Sequence, residues 1–189
     1  MVTVIPFRAG GKSRLPRSLR RELALAMFGD VVEAALGVGA VRVVTDDVDA
    51  ADAARALGAQ VVADPGGGQG AAVEAGLVGL DGPCLVVNAD VPCVSPDALR
   101  RLAARGQALV AASDGTTNAL SLPSPAWFAA LYGPGSAERF AAHGLLPVSI
   151  PELEHDVDTL DDLERVTVPL GRQTTLVVNH HKRPLPASS

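Results

Sequence analysis

The strongest constraint on the fold is a regular alternation of short valine-rich runs with longer alanine-rich stretches. The apolar runs occupy residues 2–6, 41–45, 60–63 and 84–89. Stretches with helical period follow them at residues 18–36, 49–57, 71–80 and 96–104. Unbroken apolar runs such as "CLVVNA" are typical of strands buried on both faces. The pattern therefore predicts a Rossmann-like α/β fold with a mostly parallel central sheet covered by helices on both sides.

The second half of the chain departs from this alternation. Two strand-like segments, "QALVAAS" and "NALSLP", are separated by a polar turn at residues 114–116, and the helical "SAERFAAHG" and strand-like "LLPVSI" follow. We expect an antiparallel excursion here. The length of 189 residues, 48% of them hydrophobic, fits one domain. We assign it to residues 1–170 and interpret 171–189, which lack a clear period, as a partly disordered C-terminal extension.

Composition narrows the class of function. A net charge of -5 gives no bulk attraction to nucleic acid or to an acidic membrane, so phosphate recognition must be local. No apolar run is long enough to span a membrane, and we expect a cytoplasmic protein. The two cysteines, Cys84 and Cys93, fit no redox or zinc spacing and predict reduced, buried thiols.

The tripeptide Gly11-Lys12-Ser13 also ends a Walker A phosphate loop. That motif needs a glycine five residues before Gly11, and the chain has Pro6 there. Proline fixes φ and has no N–H, whereas the loop needs a flexible backbone whose amides surround a phosphate. A Walker A loop is therefore excluded.

Ligands of open α/β sheets bind beyond the carboxyl ends of the strands, and polar residues follow each predicted strand there. The first strand is followed by Arg8, Lys12 and Arg14, the third by the glycine-rich segment 64–70, and the fourth by "NADVP". Taken singly, the cations could be solvated surface charges and the glycines a flexible turn. Together they indicate a site for a nucleoside triphosphate.

Three aspartates are candidate metal ligands. Asp90 ends a buried strand, where an unpaired carboxylate is costly unless a cation compensates; its capping of the next helix is an alternative, although Ser95 is better placed. Asp156 and Asp158 alternate with Val157, so both carboxylates project to one side of an extended chain. Asp158 or Thr159 could instead cap the following helix. Oxygen ligands without His or Cys favour Mg²⁺.

Six motifs in order resemble one family of nucleotidyltransferases. They are "PFR" with "KSRL", then "DPGGGQGAAVEAG", "NADVP", "DGTTNAL", "YGPGS" and "DVDTLDDL", and they cover residues 2–166. This set resembles the CofC/FbiD guanylyltransferases of coenzyme F420 biosynthesis, within the MobA-like, GT-A-like superfamily. The resemblance implies transfer of GMP from GTP to phosphoenolpyruvate or 2-phospholactate. The composition, which is typical of a GC-rich genome, favours phosphoenolpyruvate.

The resemblance also implies roles for particular residues. Asp90, Asp156 and Asp158 would hold Mg²⁺, and Lys12 and Arg14 would act with Asp90 in catalysis. The acid substrate would contact Thr117, Gly133 and Ser136, although Ser136 could also be an ordinary helix N-cap. Nucleotide-binding positions would be Arg8, Lys12, Gly68, Gly70 and Ala71. The product of such a reaction would be an unstable anhydride, and from that chemistry we expect a downstream transferase that takes it directly as a partner.

Three positions depart from the family's usual pattern. Arg8 replaces a lysine, "GTTN" is one glycine shorter than usual, and Gln69-Gly70 replaces "LN". Two alternatives remain open: a MobA-like enzyme with another acceptor, such as a molybdenum cofactor or a sugar phosphate, and a non-catalytic nucleotide-binding paralogue.

Overall fold

The computed structural model describes residues 1–8, 17–157 and 160–182. The first half contains β1 (Val2–Pro6), α1 (Arg17–Leu36), β2 (Ala40–Thr45), α2 (Val48–Leu57), β3 (Gln60–Ala63), α3 (Gln69–Leu77), β4 (Cys84–Val87) and α4 (Pro96–Ala103). The second half contains β5 (Ala108–Ala111), β6 (Thr117–Leu122), a 3₁₀ turn (Pro125–Trp127), α5 (Ser136–Ala142), β7 (Leu146–Pro147), α6 (Pro151–Glu154), α7 (Leu160–Arg165) and α8 (Arg172–Lys182).

The strands in the described ranges form one seven-stranded sheet in the order β3-β2-β1-β4-β6-β5-β7. Strand β6 runs antiparallel to its neighbours β4 and β5, and every other pairing is parallel. The predicted α/β class and the antiparallel excursion are both confirmed. Because β6 is reversed, its first residue lies at the same edge of the sheet as the carboxyl ends of the parallel strands.

Apolar side chains cover both faces of the sheet. On one face α1, α2, α4 and α6 pack through side chains such as Phe28, Leu99 and Leu153. On the other face α3 and α5 pack through Phe140 and its neighbours. Two buried layers explain why the strands read as continuous apolar runs instead of alternating ones.

Local capping fixes where two helices begin. The Asp47 side chain accepts a hydrogen bond from the Ala50 N–H at the start of α2. The Ser95 hydroxyl accepts one from the Ala98 N–H at the start of α4, and Pro96 follows the cap. Ser95 therefore takes the capping position, as the sequence indicates, and Asp90 does not.

Helix α8 lies in residues 171–189, the segment whose sequence shows no clear hydrophobic period. It packs along α1, and the buried Asp30 carboxylate accepts hydrogen bonds from the Gln173 and Thr174 N–H groups, both at 2.9 Å. Asp30 thus caps α8 from another helix. Gly171 allows this approach, because a Cβ there would overlap the Asp30 side chain. The boundary at residue 170 remains a prediction, and residues 183–189 lie outside the described part.

Both cysteines are buried thiols, as the sequence predicts. Burial raises the pKa of Cys84 and of Cys93 to about 11, so both remain protonated and unreactive near neutral pH. Across the part of the chain that the structure describes, no helix is both long enough and apolar enough to cross a membrane.

The cap on α8 gives a stability prediction. We expect Asp30→Ala to lower the free energy of unfolding by about 1–3 kcal/mol, because the buried Thr174 N–H and the partly buried Gln173 N–H both lose their acceptor. Urea unfolding measures this loss, and hydrogen exchange should become faster across α8. The matched control is Asp52→Ala, which removes an exposed carboxylate 3.0 Å from Arg55 and should change stability by less than about 0.5 kcal/mol. Equal stability of both variants would contradict the cap.

Candidate active site

The predicted site segments meet at one edge of the sheet. Arg8 follows β1, the glycine-rich loop (residues 64–68) follows β3, and Asn88 follows β4. Thr117 opens the reversed strand β6 at the same edge, and the Asn88 N–H donates to the Asn118 carbonyl at 2.9 Å. This edge is where ligands of open α/β sheets bind.

The two acidic motifs are joined through the main chain. The Val157 N–H donates to the Asp90 carbonyl at 3.1 Å, which brings Asp156 next to the loop that carries Asp90. Val157 itself is buried against Leu19 and Leu23 of α1. Asp90 and Asp156 are both half-buried, so their segments are fixed while the residues keep access to solvent.

The carboxylate chemistry of this pair suits a divalent metal ion. Hard oxygen donors from two segments held at one point fit ions such as Mg²⁺, and Asp90 and Asp156 are the described residues that would hold one. Asp158, the third predicted ligand, lies outside the described residues. Among the described ranges, no group of three His, Cys, Asp or Glu side chains is close enough to form a complete site.

Arg8 is bound to the glycine-rich loop. Its Nε and Nη2 atoms lie 2.5 and 2.7 Å from the two carboxylate oxygens of Asp64. The Asp64 side chain is buried, and it also accepts a hydrogen bond from the Gly66 N–H at 2.9 Å. Contact with the Arg8 guanidinium holds the pKa of Asp64 below its usual value. Arg8 remains 41% exposed, so one side of this predicted phosphate ligand still faces solvent.

Glycine is required at several positions around this loop. Gly66, Gly67 and Gly68 all have positive φ, between 80° and 100°. Gly68 is the N-cap of α3, and Gly70 and Ala71 lie in its first turn. A Cβ at Gly70 would lie 2.7 Å from the Ala130 Cβ, so the loop after β6 packs directly against the start of α3. The predicted nucleotide and acceptor segments are therefore neighbours.

Thr117 and Ser136, two of the predicted acceptor contacts, lie beside each other. Their hydroxyl oxygens are 3.0 Å apart, and both residues are buried. Gly133 has a φ of 113°, and its carbonyl accepts from the Ser136 N–H. Gly135, not Ser136, occupies the N-cap of α5. Ser136 is therefore the first residue of the helix, and its hydroxyl bonds to Thr117 instead of capping.

A cleft of about 420 Å³ opens beside these residues. Its walls include Ala111, Ser149 and His155, and Ala111 pairs with Thr117 across the sheet. His155 directly precedes Asp156. The cleft is therefore bordered by a residue paired with Thr117 and by the residue before Asp156.

Some predicted residues cannot be placed, and others were missed. Lys12 and Arg14 lie outside the described residues. Asp64, Gln69 and Arg139 were given no role by sequence reasoning. The Arg139 guanidinium donates to the carbonyls of three residues, Leu131, Tyr132 and Pro134, and so fixes the loop before α5. No local pattern marks these residues, because each contacts backbone or side chains that only the fold brings near.

Comparison with known proteins identifies the class. Residues 9–144 match the family described as the MobA-like NTP transferase domain. A putative nucleotide-diphospho-sugar transferase from Desulfovibrio desulfuricans has the same fold, with a TM-score of 0.68 over 95% of each chain and 15% sequence identity. The chain is thus a nucleotidyltransferase, a class of enzyme that usually works with a divalent metal ion.

The particular family is shown by closer relatives. A phosphoenolpyruvate guanylyltransferase from Nocardia farcinica is 38% identical over 185 residues, covering 85% of this chain and 80% of the relative. One from Roseiflexus castenholzii is 38% identical over 168 residues, covering 80% of each. The chain belongs to the phosphoenolpyruvate guanylyltransferase family, in agreement with the family resemblance of its six motifs.

The Arg8–Asp64 ion pair gives a pH-dependent prediction. We expect Asp64→Asn to lower the free energy of unfolding at pH 7 by about 1 kcal/mol, a value reduced by the exposure of Arg8. The folded-state pKa of Asp64 lies below its ordinary 3.8, so the stabilisation is present above pH 3.8 and is lost as the pH falls through the folded pKa.

The difference between wild type and Asp64→Asn should therefore stay nearly constant from about pH 7 down to about 4 and shrink as the pH falls below 3.8. Urea unfolding across this range measures it, with Asp81→Asn, at an exposed aspartate on the opposite edge of the sheet, as control. A difference that stays constant down to the lowest pH would contradict the ion pair.

Proposed function

We propose that this chain transfers the guanylyl group of GTP to phosphoenolpyruvate and releases pyrophosphate. The product is enolpyruvoyl-2-diphospho-5'-guanosine, an intermediate for coenzyme F420. The observation that carries the proposal is the Val157–Asp90 hydrogen bond, which holds two acidic motifs together at the edge of a nucleotidyltransferase sheet. The family relatives support the choice of substrates.

The reaction is an in-line displacement at the α-phosphorus of GTP. A phosphate oxygen of phosphoenolpyruvate forms the new P–O bond, and the bond between the α-phosphorus and the bridging oxygen to the β-phosphate breaks. Pyrophosphate leaves with the electron pair. The nucleophile is already ionised, so no general base is required. Positioning and electrostatic stabilisation supply the rate.

The chain's own residues divide this work. Asp90, Asp156 and Asp158 would hold Mg²⁺, which supplies charge neutralisation at the reacting phosphates when bound. Lys12 and Arg14 would neutralise the triphosphate and the leaving pyrophosphate, with Arg8 beside them. Arg8 also holds the glycine-rich loop through Asp64, and that loop with Gly70 and Ala71 would bind the nucleoside.

The acceptor would bind on the other side of the metal ligands. Thr117, Gly133 and Ser136 would contact the carboxylate and phosphate of the acid, and the first and last of these are already joined through their hydroxyls. The product is a phosphoric anhydride, an activated group donor. It suits direct transfer to a downstream transferase in the same pathway.

Replacement of Asp90 tests the metal site. We expect Asp90→Ala to lower kcat by about a thousandfold or more, because it removes a ligand of the ion that neutralises the reacting phosphates. The fold should persist, because the bond to Val157 uses the Asp90 main chain. Pyrophosphate release measures the rate, and thermal unfolding checks the fold. Asp81→Ala, at the opposite end of β4, is the control and should keep full activity. A fully active Asp90→Ala enzyme would overturn the assignment.

An acceptor panel tests the substrate. With GTP and Mg²⁺, we expect pyrophosphate release with phosphoenolpyruvate to exceed that with 2-phospholactate or 3-phosphoglycerate. Removal of the metal with a chelator should abolish the reaction, and added Mg²⁺ should restore it. Release with a sugar phosphate or molybdenum cofactor alone would indicate another MobA-like transferase. No release with any acceptor would indicate a non-catalytic paralogue.

A further inference from the structure

Three hydrogen bonds in series, one of them to a main-chain carbonyl, link the nucleotide side of the candidate site to the acceptor side. Gln69, at the start of α3, donates from Nε2 to the Asn88 Oδ1 at 2.6 Å. Asn88 donates from Nδ2 to the Thr117 carbonyl at 3.1 Å. The Thr117 hydroxyl then bonds to the Ser136 hydroxyl at 3.0 Å. Four residues on four separate segments are thereby connected.

The direction of these bonds follows from the chemistry of the groups. The Thr117 carbonyl can only accept, so the Asn88 amide must present its NH₂ group there. The Asn88 oxygen is then left facing Gln69, which must donate. Each amide therefore fixes the orientation of the next, and neither can rotate by itself without losing a bond.

Thr117 needs this support because the sheet is irregular there. Strands β5 and β6 pair Val110 with Ala119 but Ala111 with Thr117, so Asn118 is an additional residue in β6. Such a bulge interrupts the ladder and changes the direction of neighbouring side chains. The Asn88 amide donates to a carbonyl at this point, and the Asn118 amide donates to the Leu153 carbonyl at 3.1 Å. Side chains thus hold the bulge on two sides.

We propose that Gln69 is a positioning residue for the acceptor: it orients Asn88, which fixes the backbone at Thr117 and so places the Thr117–Ser136 hydroxyl pair. This inference rests on the proposed function, and it gives a role to a residue at which the chain departs from its family's usual pattern. Gln69 lies next to the glycine-rich loop in sequence, yet its amide is bonded toward the acceptor side.

Gln69→Met tests this role, because methionine keeps the length of the side chain and removes the hydrogen bond. We expect KM for phosphoenolpyruvate to rise roughly three- to tenfold, the effect of one neutral hydrogen bond, while KM for GTP and kcat change by less than about twofold. Gln69→Glu should raise KM for the acid further, because two carboxylate oxygens would face the Asn88 oxygen.

A matched control is available at Gln107. Its Nε2 donates to the Gly144 carbonyl at 2.7 Å, at the opposite edge of the sheet. Gln107→Met loses the same kind of bond and should leave both KM values unchanged. Thermal unfolding of all variants identifies any that fail to fold. An unchanged KM for the acid in a folded Gln69→Met enzyme, or a rise confined to KM for GTP, would overturn the inference.

A double-mutant cycle with Ser136→Ala shows whether Gln69 acts through the hydroxyl pair. If it does, the double variant should have a KM for phosphoenolpyruvate close to that of Ser136→Ala, because the pair that Gln69 positions is already lost. Effects that multiply would overturn the inference. The proposed function is judged separately, since it fails only if wild type releases no pyrophosphate with phosphoenolpyruvate, and the same cycle then applies with the acceptor that supports turnover.

Discussion

The hydrogen bond from the Val157 N–H to the Asp90 carbonyl is the contact that holds the two acidic segments of the candidate site together. It joins segments that are distant along the chain and places both acidic motifs at one edge of the sheet. Its geometry is maintained by burial of Val157 against α1, which α8 in turn covers through the Asp30 cap. The bond uses main-chain atoms, so it fixes the two segments without involving the Asp90 or Asp156 carboxylate.

The positive charge at this edge of the sheet comes from individual arginines, because the chain as a whole carries a net charge of -5. Arg8 binds Asp64 through two hydrogen bonds. This cation therefore also fixes the glycine-rich loop that would surround the nucleotide. Arg139 does the same for the loop before α5, through backbone carbonyls. Both arginines hold loops whose glycines would otherwise leave the backbone free to move. The site is therefore organised by pairing its cations with the loops themselves.

Sequence reasoning succeeded where the information is local. The apolar runs predicted the parallel strands, and Ser95 before Pro96 predicted the start of α4. Nothing in the sequence indicated α8. The cap of this helix is Asp30, which accepts a hydrogen bond from the N–H of Gln173, 143 positions later in the chain. A helix capped from another element carries no start signal of its own. For the same reason, Gly171 looked like a break in the pattern, although it is the residue that lets Asp30 approach.

The sequence by itself determined the α/β class and the family and predicted the edge of the sheet for the candidate site, because strand period, turn glycines and ordered motifs are all features of short stretches of chain. Only the tertiary structure decided what the polar side chains at that edge contact. Arg8 meets Asp64 across 56 positions and Gln69 meets Asn88 across 19, and Thr117, beside the bulge at Asn118, meets Ser136. The physical reason is that a polar group bonds to whichever partner lies near it in space. Groups on separate strands and loops come within hydrogen-bond distance only when the sheet has assembled.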